Sequence, residues 1–572
     1  MAVRNTDDLA LTGTSQSPAP PAGASKSCSP SDEASSKPRE SAFEPLADGL
    51  FRVLWTASVV SNIGTWMQNM GGAWLMTDLT SSAVLVSLMQ TATSLPILMA
   101  GLPAGALADL VDRRRLLLAA QGWMLLAAGL LGVLTLLHVM NPWLLLLFTF
   151  AIGLGTAFNA PAWQAIIPEI MPGRRMPAAI ALESAGFNIA RAVGPTLGGF
   201  VVAWLGPGAN FLLNSASFLA TMLALLRWKR PRRSSELPAE RLLSATRTGL
   251  RYALHAPELG AVLVRTIAFM LCASALWALM PQVAHRDMAL PSSGYGILLG
   301  SLGSGAVVGA AFLPKIRERF SADVRVAGAS VVFAVATLAL GYVPQILLLA
   351  PILAAAGVAW MVITSGLNVI VQACVPQWVK ARALATYLLV FQGTLAGASL
   401  MWGLLADRFG DGPTLAVAAA GLVGGIAATW RWRLTPSEAM DVRPVELLPQ
   451  PVLEDEPRSW EGPVMVVAEY LIDVDRADEF VVSMRQLGRL RRRDGAMRWG
   501  LFRDPAKPGR YLETFIVESW AEHLRQVERA TLADREIDVQ ARSFLAGAEQ
   551  PTINHFVAAQ GPDHAGPIID GV

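Results

Sequence analysis

Arg191 and Glu183 stand eight residues apart in "ALESAGFNIARAVGPTLGGF", residues 181–200, a stretch that is otherwise mostly apolar. An arginine stays charged at any physiological pH and holds anions through its fork of N–H donors. A carboxylate can take up a proton, or simply reach interfacial water. Within the same stretch, Gly194, Gly198 and Gly199 strip side chains from one face of a helix. Pro195 has no N–H to offer the carbonyl of Arg191 and loosens the helix there. Amides accompany them upstream: Asn62, Gln68, Asn69, Gln90, Asn159, Gln164 and Asn188. With Trp66, Trp74 and Trp163 they could line a polar cavity, and interhelical hydrogen bonding alone would also account for them. Other chemistry lacks its residues. The chain holds no Walker loop, GxSxG elbow or HExxH, and Cys28, Cys272 and Cys374 lie too far apart in sequence for a zinc knuckle. No catalytic residue, cofactor or metal ligand is assigned.

The elements that carry these residues are apolar helices. Of 572 residues, 53% are hydrophobic and 16% charged, and the mean hydropathy is +0.43. That composition indicates a protein of the lipid bilayer. Net charge is only +2, and the basic residues sit in short clusters between apolar runs, so nucleic acid is excluded as a partner. Twelve segments reach the roughly 20 residues a hydrocarbon core requires: 52–76, 84–108, 115–137, 142–167, 177–204, 210–228, 258–283, 293–314, 324–343, 346–371, 381–407 and 413–432. Arg191 falls about 14 residues from either end of the fifth, roughly 20 Å at the helical rise, too far to snorkel. It must face protein or water. A central arginine costs several kcal/mol unless paired, so it calls for an anionic partner or an anionic substrate.

Alternate connections carry nineteen Lys and Arg, including Arg113 to Arg115, Arg174, Arg175, Lys315 and Lys380, while the opposite connections carry only Arg286 and Arg408. Basic loops stay in the cytoplasm, which places both termini there in a multi-pass protein of the cell membrane. A gapless offset of 204 residues superposes Gly101 on Gly305, Gly105 on Gly309, Arg113 on Arg317, Gly153 on Gly357 and Gly199 on Gly403. The twelve spans therefore divide as a 6+6 repeat. The expected organisation is a disordered cytoplasmic tail (1–45), a first six-helix half (46–228), a basic linker (229–257), a second half (258–434), a linker (435–461), a soluble domain (462–560) and a flexible tail (561–572). Within the basic linker, "LLSATRTGLRYAL" could lie on the membrane surface.

Between the second and third spans, "GALADLVDRRRL" resembles the loop signature of the major facilitator superfamily, in which Gly-x-x-x-Asp precedes a basic cluster. The resemblance implies that Gly105 lets its helix approach a neighbour, that Asp109 pairs with Arg113 or caps a helix, and that Arg113 and Arg114 hold one end of the bundle together. "ARAVGPTLGG" resembles the fifth-span motif associated with exporters of that superfamily, Gly-Pro-x-x-Gly-Gly. The arginine the superfamily carries in span 4 is Thr149 here, so its usual relay does not carry over.

After the last span, "PVMVVAEYLID", "ADEFVVSMRQLGRLRRR", "AMRWGLFRD", "GRYLETFIVES", a helical segment from Trp520 and "TINHFVAA" read as βαββαβ, a ferredoxin-like α+β order. The stretch resembles antibiotic-biosynthesis-monooxygenase-like domains, which implies a homodimer through paired sheets as one assembly. Trp499, Trp520, His523 and His555 could line a pocket, but core packing is the plainer reading. The whole chain resembles the enterobactin-exporter-like, transmembrane secretion effector branch of the superfamily. The expectation is an all-α bundle of twelve transmembrane helices with a soluble tail, moving a small molecule outward (a siderophore, drug or secondary metabolite) in exchange for protons. An importer of the same fold, or an oxidoreductase tethered to the membrane, are the alternatives.

Overall fold

A computed structural model of the chain describes residues 43–171, 173–228, 252, 255–376, 378–434, 457–458, 460–547 and 551–559, with only the backbone for Leu102, Ala106, Asp109, Leu110, Glu528 and Ala533. The expectations for the N-terminal tail, most of both linkers, Cys28, the 561–572 tail and the Asp109 side chain fall outside the described residues.

Among the described residues, eleven α-helices precede the C-terminal sheet: α1 (Gly49–Leu79), α2 (Ala83–Leu110), α3 (Arg113–Leu136), α4 (Pro142–Ile170), α5 (Met176–Arg227), α6 (Pro257–Gln282), α7 (Ser292–Arg319), α8 (Ala322–Tyr342), α9 (Ile346–Ala373), α10 (Lys380–Phe409) and α11 (Asp411–Ala428). Several begin on side chains that satisfy orphan N–H groups. Asp48, Asp112 and Asn141 accept from Phe51 N, Arg115 N and Leu144 N, at the starts of α1, α3 and α4. The expected spans 177–204 and 210–228 form one continuous element. At 52 residues a straight helix would run about 78 Å, far beyond a bilayer. It turns at Gly206, whose φ of 79° and ψ of 168° suit glycine, with Pro207 starting the return leg.

Among the described residues, ten stretches are long and apolar enough to cross a membrane, the whole of α5 counting as one. Missing from those ten is α1, because Ser58, Ser61, Asn62, Thr65, Gln68 and Asn69 lower its hydropathy. Its polar residues face inward, as shown below.

In the first half α1 and α3 pack on α5, and α2 on α4; in the second, α7 packs on α9, α6 on α10 and α11 on α8. The halves meet along two lines, α5 against α7 and α2 against α10. Small residues make these crossings close. A Cβ on Gly357 would collide with the Leu302 carbonyl, and one on Gly305 with that of Ala354, so α9 and α7 touch backbone to backbone.

The C-terminal unit is a four-stranded antiparallel sheet in the order β2-β3-β1-β4, formed by β1 (Val464–Leu471), β2 (Arg498–Arg503), β3 (Arg510–Val517) and β4 (Thr552–Val557). The helix α12 (Ala477–Arg493) follows β1, and two helices, α13 (Trp520–Glu528) and α14 (Leu532–Arg542), stand where the sequence suggested one. Alternation on β3 buries Tyr511, Glu513, Phe515 and Val517, which meet Phe480, Met484 and Leu487 of α12 or Trp520 of α13. Glu513, wholly buried, is held by Arg491 at 3.2 Å and accepts from Tyr470 Oη at 3.0 Å and Trp499 Nε1 at 2.9 Å. That partnership raises the Arg491 pKa against the opposing effect of burial. This unit touches the bundle where the guanidinium of Arg529 lies 4.3 Å from the Trp378 ring and that of Arg493 lies 5.5 Å from Tyr252.

Candidate functional site

The two seams between the halves are tight at the end of the bundle away from the basic loops. A Cβ on Gly199 would stand 2.8 Å from Ser292 O, one on Gly296 2.7 Å from Pro195 O, and one on Gly403 2.7 Å from Ser87 Oγ. Polar contacts close the same end. Asp407, near the C-terminus of α10, accepts from Ser82 Oγ at 2.8 Å, Ala83 N at 2.5 Å and Val84 N at 3.3 Å, so its carboxylate caps α2 of the other half. His285 lies 3.2 Å from Asp78, and Arg286 donates to Ser81 O at 2.9 Å.

Toward the basic end the seam between α2 and α10 loosens. A Cβ on Gly393 would meet Leu98 at 3.3 Å, while beyond it Gly101 and Gly105 would meet nothing within 4 Å among the described residues. This corrects the expectation that Gly105 brings its helix against a neighbour. Its repeat counterpart Gly309 does so, 3.0 Å from Val358 Cα.

Between the seams lie two cavities that share Phe187. The one nearer the closed end has a volume of about 480 Å³ and is lined by Arg191, Gln68, Asn69, Gln90, Thr149 and a set of aromatic rings. The guanidinium carbon of Arg191 stands 5.7 Å from the ring of Trp66, 5.5 Å from Trp277 and 5.6 Å from Trp360, supplied by α1, α6 and α9. The side chain is half-buried, and its Nε is buried without a hydrogen-bond partner. Among the described residues no carboxylate pairs with it. Of the anionic partner or anionic substrate expected for it, the described residues supply no partner; three indoles surround it instead, and the acid on its own helix, Glu183, sits about 12 Å nearer the basic end and is already engaged.

Glu183 lines the second cavity, of about 740 Å³, with Asn62, Asn159, Gln164 and Asn188. Its Oε1 accepts from Ser58 Oγ at 2.7 Å and Trp163 Nε1 at 2.8 Å. All seven amides singled out by sequence thus face one cavity or the other, although Gln68 also accepts from Asn214 at 2.6 Å, Asn159 from Gln121 at 3.1 Å, and Asn188 donates to Ser184 O. Trp66 and Trp163 are in the walls. Trp74 is not; it stacks on Tyr295 at 6.0 Å and lies edge-on to His285, within the closed end. Sequence reasoning missed Trp277 and Trp360, which lie in apolar runs of the second half where nothing marks them, and Gln392, whose amide in such a run was a mark left unused. The repeat was the available signal, since a site between halves needs residues from both.

The glycine and proline motif serves packing. Gly194 faces Trp66 and Ile63 O, Gly198 faces Met67, and Gly199 reaches across to Ser292. Pro195 leaves the helix uninterrupted, the only non-helical residue of α5 being Gly206. In the basic cluster, Arg113 pairs with Glu169 at 2.8 Å and donates to Ala165 O, while Arg114 donates to Leu225 O and Leu226 O, closing the C-terminal end of α5.

In the C-terminal unit Trp520, His523 and His555 gather within 6.0 Å, ring to ring, and Trp499 lies apart on Glu513. Both ring nitrogens of His523 are buried without partners, and burial with the adjacent His555 pushes its pKa down to about 4.

Comparison with known proteins agrees with this geometry. The chain is 27% identical over 399 residues to the multidrug efflux pump Tap of Mycolicibacterium fortuitum, covering 66% of this chain and 94% of that one. It is 26% identical to the enterobactin exporter EntS of Shigella boydii, over 46% of this chain and 62% of the relative. Among solved structures, a bacterial homolog of the human lysosomal transporter Spinster superposes with a TM-score of 0.52 at 16% identity, over 67% of this chain and 94% of the other. The nucleoside transporter NupG gives 0.52 at 12%, over 67% and 99%; at such identities the likeness shows the fold. The family model described as transmembrane secretion effector matches residues 40–563, domain and bundle together. With helices of this fold around a cavity between two halves, the chain belongs to the transmembrane secretion effector family of major facilitator transporters.

Proposed function

We propose that the chain is a secondary active exporter of a small organic molecule, working by alternating access of two six-helix halves and driven by proton antiport. The observation that carries this reading is the cavity at Arg191, lined from both halves, beside seams closed at one end and loosened at the other; Glu183 lines a second cavity formed by the first half with Met361 of the second. Twelve spans follow if α1 crosses the membrane and α5 crosses it twice about Gly206. The basic end is then cytoplasmic, both termini lie in the cytoplasm, and the described conformation faces inward. Outward direction is supported by the Gly-Pro-x-x-Gly-Gly stretch, Gly194 to Gly199, and by the relatives named as efflux pump and exporter. Glu183 carries the proton: its carboxylate sits at a cavity wall, where it accepts from Ser58 Oγ and Trp163 Nε1. The C-terminal unit, 462–560, is a ferredoxin-like module docked at the cytoplasmic face, its strand order being the one that βαββαβ topology produces. It is also the surface through which a homodimer would form.

The test is transport in everted membrane vesicles. A proton gradient that is acid inside, so that protons leave the lumen, should drive substrate accumulation in vesicles carrying the protein. Glu183→Gln should abolish the dependence on the gradient while leaving substrate binding within about threefold. Movement in the opposite direction under the same gradient would establish import instead.

A further inference from the structure

We infer that the cavity at Arg191 selects organic anions that carry an aromatic ring, and excludes organic cations. The inference rests on the export reading above and names the class of molecule its site accepts. Its basis is the charge inventory of the wall. The lining residues of the 480 Å³ cavity include one cation, Arg191, and no Asp or Glu. Burying a lone charge in a low-dielectric space is costly unless a counter-charge or dipoles answer it. Here the answer within the protein is three indole faces at 5.5 to 5.7 Å, which ease the cation without neutralising it. Arg191 therefore meets a ligand with its charge uncompensated and its Nε still lacking an acceptor.

Geometry adds the ring. Phe187, Tyr295 and Phe391 join the three tryptophans in the wall, so a flat aromatic body finds edges and faces to stack on while its acidic group reaches Arg191. Asn69 and Gln392 supply neutral amides that can donate to the same acid or to hydroxyls on the ring. A cationic ligand would have to approach a fixed guanidinium with no carboxylate in the wall to repay it. The one carboxylate of the second cavity, Glu183, lies two turns away and is already hydrogen-bonded by Ser58 and Trp163.

The experiment uses three probes of one shape: 2-naphthoate, 2-naphthamide and 2-naphthylmethylammonium, each titrated by equilibrium dialysis at neutral pH against the full chain in lipid nanodiscs. The naphthoate should bind roughly tenfold or more tightly than the amide, the difference a charge-assisted hydrogen bond gives, and the ammonium should not saturate. Arg191→Gln should bring naphthoate and naphthamide to within about threefold of each other, while Arg191→Lys keeps most of the preference. A monodisperse elution profile and thermal unfolding midpoint matching those of the parent show that the variants are folded. Ammonium binding as tight as naphthoate, a preference that survives Arg191→Gln, or no saturable binding by any probe would each overturn the inference. Continued gradient-driven efflux of some other compound class in vesicles would then leave the export reading standing and remove only the substrate class.

Discussion

Replacing Gly303 by alanine should pry the closed end of the bundle apart. Gly303 of α7 faces the backbone of α5, and an added Cβ would lie 2.5 Å from Arg191 O, 2.7 Å from Ala192 Cα and 3.0 Å from Arg191 C. An aliphatic carbon approaches a carbonyl oxygen to about 3.3 Å at closest. The helices must therefore separate by roughly 0.8 Å. No flexible side chain can move aside, because each of the three atoms is backbone. Overpacking of this kind costs about 1 to 3 kcal/mol, and the cost falls only on the conformation in which α5 and α7 touch. The gain in helix propensity from glycine to alanine, about 1 kcal/mol, is common to both conformations and cancels. The equilibrium should shift about 5- to 150-fold toward the state in which this seam is parted. Nitroxide labels at Trp204→Cys and Leu347→Cys, both exposed residues on different halves at the closed end, report the change by double electron–electron resonance. Cys28, Cys272 and Cys374 are first replaced by serine. Gly328→Ala is the control, since a Cβ there meets nothing within 4 Å. An unchanged distance distribution in folded Gly303→Ala protein would refute the claim that backbone contact holds this end shut.

Two other perturbations follow from the same structure. Asp407→Asn removes the charge that caps α2 from the opposite half while keeping one acceptor; losing the charge–dipole term of about 0.5 to 2 kcal/mol should speed thiol labelling of Ser87→Cys from the outer face by about 2- to 30-fold. Equal labelling rates would show that the carboxylate does not latch the halves. In the C-terminal unit, His523 titrates near 6.5 when unfolded and at about 4 when folded, so the unfolded state takes up its proton first. Stability from this group is complete above about pH 6.5 and falls as pH drops toward 4, by up to about 3 kcal/mol. Amide exchange in β1 and β3 of the full chain should accelerate over that window beyond its intrinsic pH trend, and His523→Phe should flatten the response.

The helices were legible because a hydrocarbon core imposes length and apolarity on a crossing element. The segment 52–76 was counted among the apolar segments despite its polar residues, several of which line the cavities. The site was half legible. Arg191, Glu183 and seven amides announce themselves as polar residues in apolar company, so chemistry marks them without structure. Trp277 and Trp360 carry no such mark, being as apolar as their neighbours, and only the meeting of α6 and α9 with α5 shows that they box the arginine. The partner of Arg113 was equally hidden. Glu169 is 56 residues away on α4, a separation across which sequence spacing says nothing. Gly105 shows the converse: its type promises close packing, but whether that promise is used depends on which end of the bundle is open.

Arg191 joins two functions that sequence reading treats separately. Its guanidinium is the charged wall of the cavity, and its carbonyl is the one that Pro195, lacking an N–H, leaves without a helical partner. That same carbonyl is the atom against which Gly303 packs across the seam. A ligand acid drawn to the guanidinium therefore pulls on a residue whose backbone forms the contact between halves, with no intervening chain of side chains. A ligand can shift a conformational equilibrium only by the difference in its interaction with the two states, and here that difference has a concrete source. When α5 and α7 part, Trp66 and Arg191 remain with the first half while Trp277 and Trp360 leave with the second, so the box exists in full only while the seam is closed. On the export reading, a ligand acid that answers Arg191 favours opening only in so far as it outweighs the ring's stacking on Trp277 and Trp360, which favours the closed seam. On that reading the glycines and the arginine of residues 191–199 tie the wall of the cavity to the seam between α5 and α7.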